Sequence, residues 1–549
     1  MTTSTHAPRH RQAETTAASR LAGTGTMIRL ALRRDRLRLP AWIAGHGLLV
    51  LYIGSTLPQL APTKEDLAGI TSLLSQPVGR MFTGPAFGMD DVTYERFFAA
   101  GYVPYLFILA ALMNIMLVIR HTRKEEQTGR AELIRASVTG RHTALTATLV
   151  VAALANITAG ALVVLLAVAL DYAFVGSLLV GLATALTGFA FAGVASVTAQ
   201  LSEFSRSATG MAGAALGVAF VLRALGDMIA VGGSALSWAS PLGWAAQTAP
   251  YVEDRWTPLL LSAGLAAVTI AVAFALQRRR DFGASLFPPR PGPARAAPSL
   301  GHPIGLALRL QRGGLLGWGA AILTLGVIDG LFTQSMLDAG EEMPPQLSAV
   351  FGSEQLLDGY VGFLGAFTAI FVAAYVVHAM QTLKAEEDTG RADAVLATPV
   401  NRIGWLGAHG AVIALSAILI TLITGVGAGI AAAAVTGEGE LVGSLVMAHF
   451  AVLPAPLTVL GLCAALFGLL PRLVAPVGWL LVAVLGIVDL FADLLDLPEW
   501  FRMLSPMWHL ASVPVEGFDG APFIVLNGVT LVAFVLGMAG FRRRQINVV

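Results

Sequence analysis

Residues 143–170 read TALTATLVVAALANITAGALVVLLAVAL, a block without a single charged side chain. A helix rises 1.5 Å per residue and the hydrocarbon core of a bilayer is about 30 Å thick, so this block suffices to cross a membrane. Outward from it in both directions, eleven more blocks of the same character follow. The twelve lie at roughly 39–60, 99–119, 143–170, 174–201, 208–231 and 258–276, then 313–335, 362–383, 405–435, 441–470, 473–495 and 521–541. The longest are read as tilted or as running into loops.

Composition points the same way. Of 549 residues, 56% are hydrophobic and 13% charged, where soluble domains carry about 25% charged residues. There is too little charge to cover a soluble surface. Strand-like alternation with short turns is absent, which argues against an outer-membrane barrel. The fold class is therefore an all-α polytopic membrane protein. Intrinsic disorder, a secreted disulfide scaffold and a nucleic-acid binder are excluded. Cys463 is the only cysteine, so no intramolecular disulfide and no cysteine metal site can form.

Basic residues set the expected orientation. With the N-terminus inside, 29 of the 35 lysines and arginines fall in cytoplasmic segments. Only Lys64, Arg80, Arg96, Arg255 and Arg502 fall outside, and Arg223 lies within a span. That distribution obeys the positive-inside rule and places both termini in the cytoplasm of a cell whose inner (plasma) membrane holds the chain. Residues 1–28 are expected to be a disordered cytoplasmic tail. Arg29 to Arg38 interleaves leucines with five arginines and is read as an interfacial helix on anionic lipid.

The chain repeats itself. HTRKEEQTGRAELIRASVTGR (121–141) superposes on TLKAEEDTGRADAVLATPVNR (382–402) without gaps, at the offset of 261 that carries Arg141 to Arg402. Ser240-Pro241 echoes Ser505-Pro506, and Arg278-Arg279-Arg280 echoes Arg542-Arg543-Arg544. Six spans per half predict two parallel repeats, 29–280 and 304–549, each preceded by an interfacial helix and related by an axis along the membrane normal. A Pro-rich basic linker, 281–303, joins them.

The repeated segment after spans two and eight carries acids and bases at close spacing. It predicts a polar helix leaving the membrane, ended by Gly129 or Gly390, with a second short helix starting at Arg130 or Arg391. The product is a knob projecting into the cytoplasm, made twice. One copy alone reads as a solvated hairpin. Two near-identical copies favour a binding role, because loops tolerate change unless something holds them.

Glu-Glu-x-x-Gly, an acid three residues on (Glu132, Asp393) and Ala-Thr-Pro-Val-Asn-Arg (397–402) resemble the loop between spans two and three of ABC-2 type exporter permeases. The doubled, twelve-span form resembles the fused permeases of actinobacterial drug and polyketide-antibiotic exporters. The resemblance covers the chain from Arg29 to its end. The first copy departs from it at Ser137-Val138-Thr139, where the second has Thr398-Pro399-Val400. The resemblance implies that Glu125, Glu126, Gly129, Arg130, Glu386, Glu387, Gly390 and Arg391 couple the chain to a separate ATPase subunit, a homodimer carrying ATP and Mg. Glu386 and Glu387 are expected to face that partner and not the core.

This chain has no cofactor of its own in this reading. A P-loop needs Gly-x-x-x-x-Gly-Lys-Ser/Thr, and none of Lys64, Lys124 and Lys384 follows a glycine. No catalytic residue and no metal site are assigned; His46, His378, His409 and His449 lack ligand spacing. Segments 232–257 and 496–520 hold Trp238, Trp244, Trp256, Trp500 and Trp508, broken by Pro241 and Pro506. They suit short re-entrant or interfacial helices, or plain aromatic-belt anchoring. The resemblance makes them the closure of an extracellular exit.

Inside the spans stand Arg223, Asp227, Asp489 and Asp493, and Asp329 in span seven. The repeat places Asp489 at the position of Arg223, which predicts an intramembrane charge pair across the axis. Phe107, Met113 and Asn114 in span two, with Phe367 and Phe371 in span eight, are candidate lining for a substrate cavity, although packing explains them equally. The expected function is the permease subunit of an ATP-driven exporter moving a hydrophobic or amphiphilic, antibiotic-like compound outward. Its partners are the ATPase, membrane lipid and that small molecule. The rival is a proton-coupled secondary transporter of the major-facilitator kind. Against it stand a missing short Gly-x-x-x-Asp-Arg-x-Gly loop and the long repeated knob.

Overall fold

A computed structural model describes residues 21–136, 139–281, 283–287, 292–338, 356–492 and 497–545. Every regular element among them is helical. The chain divides between Pro291 and Gly292 into two units. The first holds six helices long and apolar enough to cross a membrane: Arg38–Leu60, Val103–Gln127, Thr143–Ala169, Phe174–Leu201, Ser205–Ile229 and Pro258–Arg279. The second holds six more: Pro303–Asp338, Leu356–Asp388, Arg402–Thr436, Leu441–Leu469, Pro471–Leu490 and Gly520–Arg543. They are numbered here as spans one to twelve. Twelve such helices make this a multi-pass membrane protein.

In each unit the second and fourth of its spans are the most enclosed. Small residues set how closely they approach, because lipid offers no hydrophobic drive between helices and packing must supply it. A Cβ on Gly468 of span ten would lie 2.0 Å from the Gly537 carbonyl of span twelve, and one on Gly160 of span three 2.6 Å from that of Gly181 in span four. Spans two and three of the first unit are also tied by a reciprocal amide pair. Asn114 Nδ2 donates to Asn156 Oδ1 and Asn156 Nδ2 to Asn114 Oδ1, both at 2.9 Å.

The interfacial helix of the first unit spans Thr24–Arg34, so it begins earlier than Arg29. A turn at Asp35 separates it from span one, and the Asp35 carboxylate accepts from Arg120 and from His121 Nε2 at the end of span two. Among the described residues only a single 3-10 turn, Pro298–Gly301, precedes the second unit's first span, and Pro303–Leu331 is one helix with no separate interfacial α-helix before it. The physical difference is the pin: residues 303–312 hold no acid with which to break and anchor a turn. Most of the expected N-terminal tail, parts of the linker, the outer segment 339–355, the Ser137-Val138 departure and Asp493 lie outside the described residues.

Candidate functional site: the paired knobs and the cavity beside the first

Both knobs fold on a glycine. Gly129 has φ +72° and Gly390 φ +71°, with nothing near an added Cβ, so the left-handed backbone and not crowding calls for glycine. Short helices follow at Arg130–Arg135 and Arg391–Leu396. The approaches differ. Span eight runs unbroken to Asp388. Span two widens into a π-turn over Arg120–Lys124 before Glu125–Gln127.

The second glutamate of each knob makes the same bond. Glu126 takes a bidentate pair from Arg280, at 2.9 and 2.7 Å. Glu387 takes one from Arg544, at 2.7 and 2.9 Å. Each arginine is the last of the triplet after its unit's final span. Arg141 Nη2 donates to the carbonyls of Gln277, Arg278 and Arg280. Arg402 likewise reaches those of Phe541 and Arg544. Each knob is thereby stitched to the end of its unit's last span. The sequence signal was available: both the glutamate pair and the arginine triplet recur in register.

This turns the glutamates inward. Glu387 and Glu125 are buried, and Glu125 accepts from Arg34 of the interfacial helix at 2.8 Å. Arg123 adds a bond to Glu126 at 2.9 Å. Glu386 is engaged by Arg391 at 2.9 and 2.6 Å. The expectation that Glu386 and Glu387 face a partner is corrected for Glu387: desolvating that carboxylate beside a guanidinium is stable only as a pair. The exposed parts of the knobs include Lys124, Arg130, Glu132 and Leu133 in the first, and Asp388, Arg391, Ala397 and Thr398 in the second.

Beside the first knob lies a cavity of about 310 Å³. Met27, Leu30 and Ala31 of the interfacial helix and Leu145 of span three form its apolar side. Its polar side includes Glu126, Arg280, Gln200 and Gln277. The Asp35 carboxyl, at the end of the interfacial helix, sits below its ordinary value. Burial opposes ionisation there, and the His121 hydrogen bond with the charges of His121, Arg120 and Arg38 outweighs it.

The other expected site residues are distributed as follows. Phe107, Met113 and Asn114 are buried in the first unit's core, and Asn114 is fully engaged with Asn156 and the Ala110 carbonyl. Met113 also borders a hollow of about 490 Å³ with Trp42, Met116 and Arg206. Phe367 and Phe371 are half-buried and in edge contact at 5.0 Å, with Phe363 stacked 5.6 Å from Phe367. Arg223 and Asp227 are buried together. Arg223 Nη1 lies 3.4 Å from Asp227 Oδ2, and its Nη2 donates to the Met81 carbonyl at 2.9 Å. Ser237 donates to Asp227 at 2.6 Å. Arg80, from the short helix Pro77–Phe82, donates to the carbonyls of Asp227 and Met228, each at 2.8 Å, and so latches the loop between spans one and two onto span five. In the second unit Asp489 accepts from Ser505 Oγ at 2.9 and 2.7 Å.

The tryptophan segments form short turns of helix. Ser240 caps Pro241–Ala246 and donates to the Ala219 carbonyl at 2.6 Å. Trp238, Trp256, Trp500 and Trp508 are exposed, as aromatic-belt residues are. Among the described residues, no group of His, Cys, Asp and Glu could hold a metal.

The family described as multidrug efflux system permease Rv1217c, C-terminal domain, matches residues 25–278 and 300–542. The multidrug efflux system permease protein Rv1217c of Mycobacterium tuberculosis is 35% identical over 534 residues, which covers 96% of each chain. Twelve apolar spans, a duplicated knob and a match that runs through both halves agree with one another, and the chain belongs to this family of multidrug efflux permeases.

Proposed function

We propose that the chain is the membrane subunit of an ATP-driven exporter of the plasma membrane, with both termini and both knobs in the cytoplasm. A separate ATPase, acting as a homodimer with ATP and Mg, grips the exposed knob tips. Its closure shifts the two parallel halves, and a hydrophobic or amphiphilic drug-like compound leaves outward. The observation that carries this reading is the stitching of each knob to its unit's last span by Glu126–Arg280 and Glu387–Arg544. A tip pushed by a partner moves the spans behind it, because a buried bidentate ion pair does not slip. The name of the 35% identical relative supports a drug as cargo.

The test is reconstitution. The purified chain alone hydrolyses no ATP, and with its cognate ATPase it forms a complex that does. Arg130→Glu with Leu133→Ser in the first tip, or Asp388→Arg with Thr398→Glu in the second, abolishes the complex while leaving insertion intact. Transport driven by a proton gradient without any ATPase overturns the reading in favour of a secondary transporter. A charge swap, Arg223→Asp with Asp489→Arg, tests whether these two also meet across the halves. Recovery over each single variant supports that pair, and none removes it.

A further inference from the structure

The two units treat the space beside their knobs differently. In the first, Ala144, Gln200 and Gln277 stand on the wall of the 310 Å³ cavity. The offset that carries Arg141 to Arg402 carries Ala144 to Trp405, and the register that carries Arg280 to Arg544 carries Gln277 to Phe541. Gln200 and Phe467 correspond by role, each lying against the terminal arginine of its unit. Arg280 Nε donates to Gln200 Oε1 at 2.6 Å, and the Arg544 guanidinium sits 5.4 Å over the Phe467 ring. So the three small or polar residues of the first unit are replaced by three aromatic rings in the second.

Those rings are packed solid. Trp405, Phe467 and Phe541 are all buried. Their centroids are 5.6 Å apart for Trp405–Phe541, 5.3 Å for Phe467–Phe541 and 6.3 Å for Trp405–Phe467. Arg544 lies over Phe467 and Phe541 while it holds Glu387. The second knob's ion pair therefore rests on an aromatic floor, and the first knob's rests on a void.

We propose that the first-unit cavity binds an uncharged aromatic amphiphile of about two-ring size, which packs under Arg280 and completes the first knob as the three rings complete the second. The chain itself displays the shape and chemistry that fit beside such an arginine. The volume is that of a small ligand site. The lining carries no net charge to recruit an ion: its three arginines, Arg34, Arg141 and Arg280, are matched in number by Glu125, Glu126 and Asp281, and Arg34 and Arg280 are already paired with Glu125 and Glu126. The interfacial helix roofs the cavity with Met27 and Leu30, and an amphipathic helix of this kind lies at the membrane surface, where amphiphiles concentrate. An occupant tightens the Glu126–Arg280 pair by excluding water from it. One knob is then permanently packed, and the other is packed only when a ligand is present.

The probe is 4-aminobenzophenone, an uncharged, photoactivatable two-ring compound, applied to the full chain in lipid nanodiscs without any ATPase. Irradiation is expected to label residues 27–34 and 143–148. Ligand is expected to slow amide exchange over residues 124–135 about tenfold. Ala144→Trp, which copies the second unit, is expected to cut that labelling about tenfold, a loss of about 1.4 kcal/mol in binding, and to show the slowed exchange without ligand. Gln277→Phe repeats the test with a smaller intrusion if the Trp variant fails to insert. Trp405→Ala opens the second unit and is expected to add labelling near residues 402–409. Equal labelling of wild type and both filled variants overturns the site. Labelling without a change in exchange overturns the clamping of the knob. Neither result depends on transport, so the exporter reading stands or falls separately.

Discussion

At the residue scale, the second glutamate of each knob is a structural residue, paired with the terminal arginine of its unit. Glu387 and Arg544 form a mostly buried pair, with side chains 4% and 17% exposed. Glu387→Ala leaves a guanidinium without its partner and is expected to cost about 3 kcal/mol, read as a lower unfolding temperature of the purified chain. Exchanging the two, Glu387→Arg with Arg544→Glu, is expected to regain most of that loss. Asp35 has the opposite duty, holding the interfacial helix to span two. Its folded carboxyl is held below the ordinary value of 3.8, so its contribution is full above that value and fades only as pH falls through the lower folded value. Trypsin cleavage near Arg34 and Arg36, expressed at each pH relative to an unstructured reference peptide, is therefore expected to stay slow from about pH 5 to 8. Asp35→Asn is expected to speed it throughout that range.

At the element scale, the spans pack through small residues and a few amide bonds. A Cβ at Gly188 of span four would sit 2.2 Å from Asn156 Oδ1 and 2.8 Å from Asn114 Nδ2. Gly188→Ala is therefore expected to break the Asn114–Asn156 pair as well as the helix contact. Removing one amide alone, Asn156→Ala, is expected to cost about 1–2 kcal/mol, since interhelical hydrogen bonds in membranes are individually modest. The two changes together are expected to cost less than their sum, because each removes the same bonds. Unfolding in graded denaturing detergent checks both statements.

At the scale of the whole molecule, each unit has its own core and its own stitched knob. Residues 1–291 and 292–549, expressed as two chains in the same cell, are expected to insert separately, each resisting proteolysis at its knob as the intact chain does. Rapid digestion of either fragment when expressed alone, measured beside the intact chain, contradicts that independence. The duplication is unequal in a specific way. The first unit keeps a separate interfacial helix, a π-turn and a cavity, while the second has a continuous helix, an unbroken span and an aromatic floor.

The sequence alone determined the helical class, the number of spans and the fold of the knobs, because these depend on local properties. A run of apolar residues long enough to cross a bilayer, and a glycine that reverses the chain, are written in consecutive letters. Thus Gly129 and Gly390 end their helices as their sequence context predicts, and the short helices begin at Arg130 and Arg391. Only the tertiary structure decided which way the glutamates face, since Glu126 meets an arginine 154 residues away and Glu387 one 157 away. It alone paired Asn114 with Asn156, latched Arg80 onto span five and left a void beside one knob. A cavity is a shared absence, set by residues from six separate helices, and no single stretch of sequence records it. The repeat did hold part of the clue: Ala144 and Gln277 stand where the second copy is aromatic, but their meeting with Gln200 in one place is a property of the packed bundle.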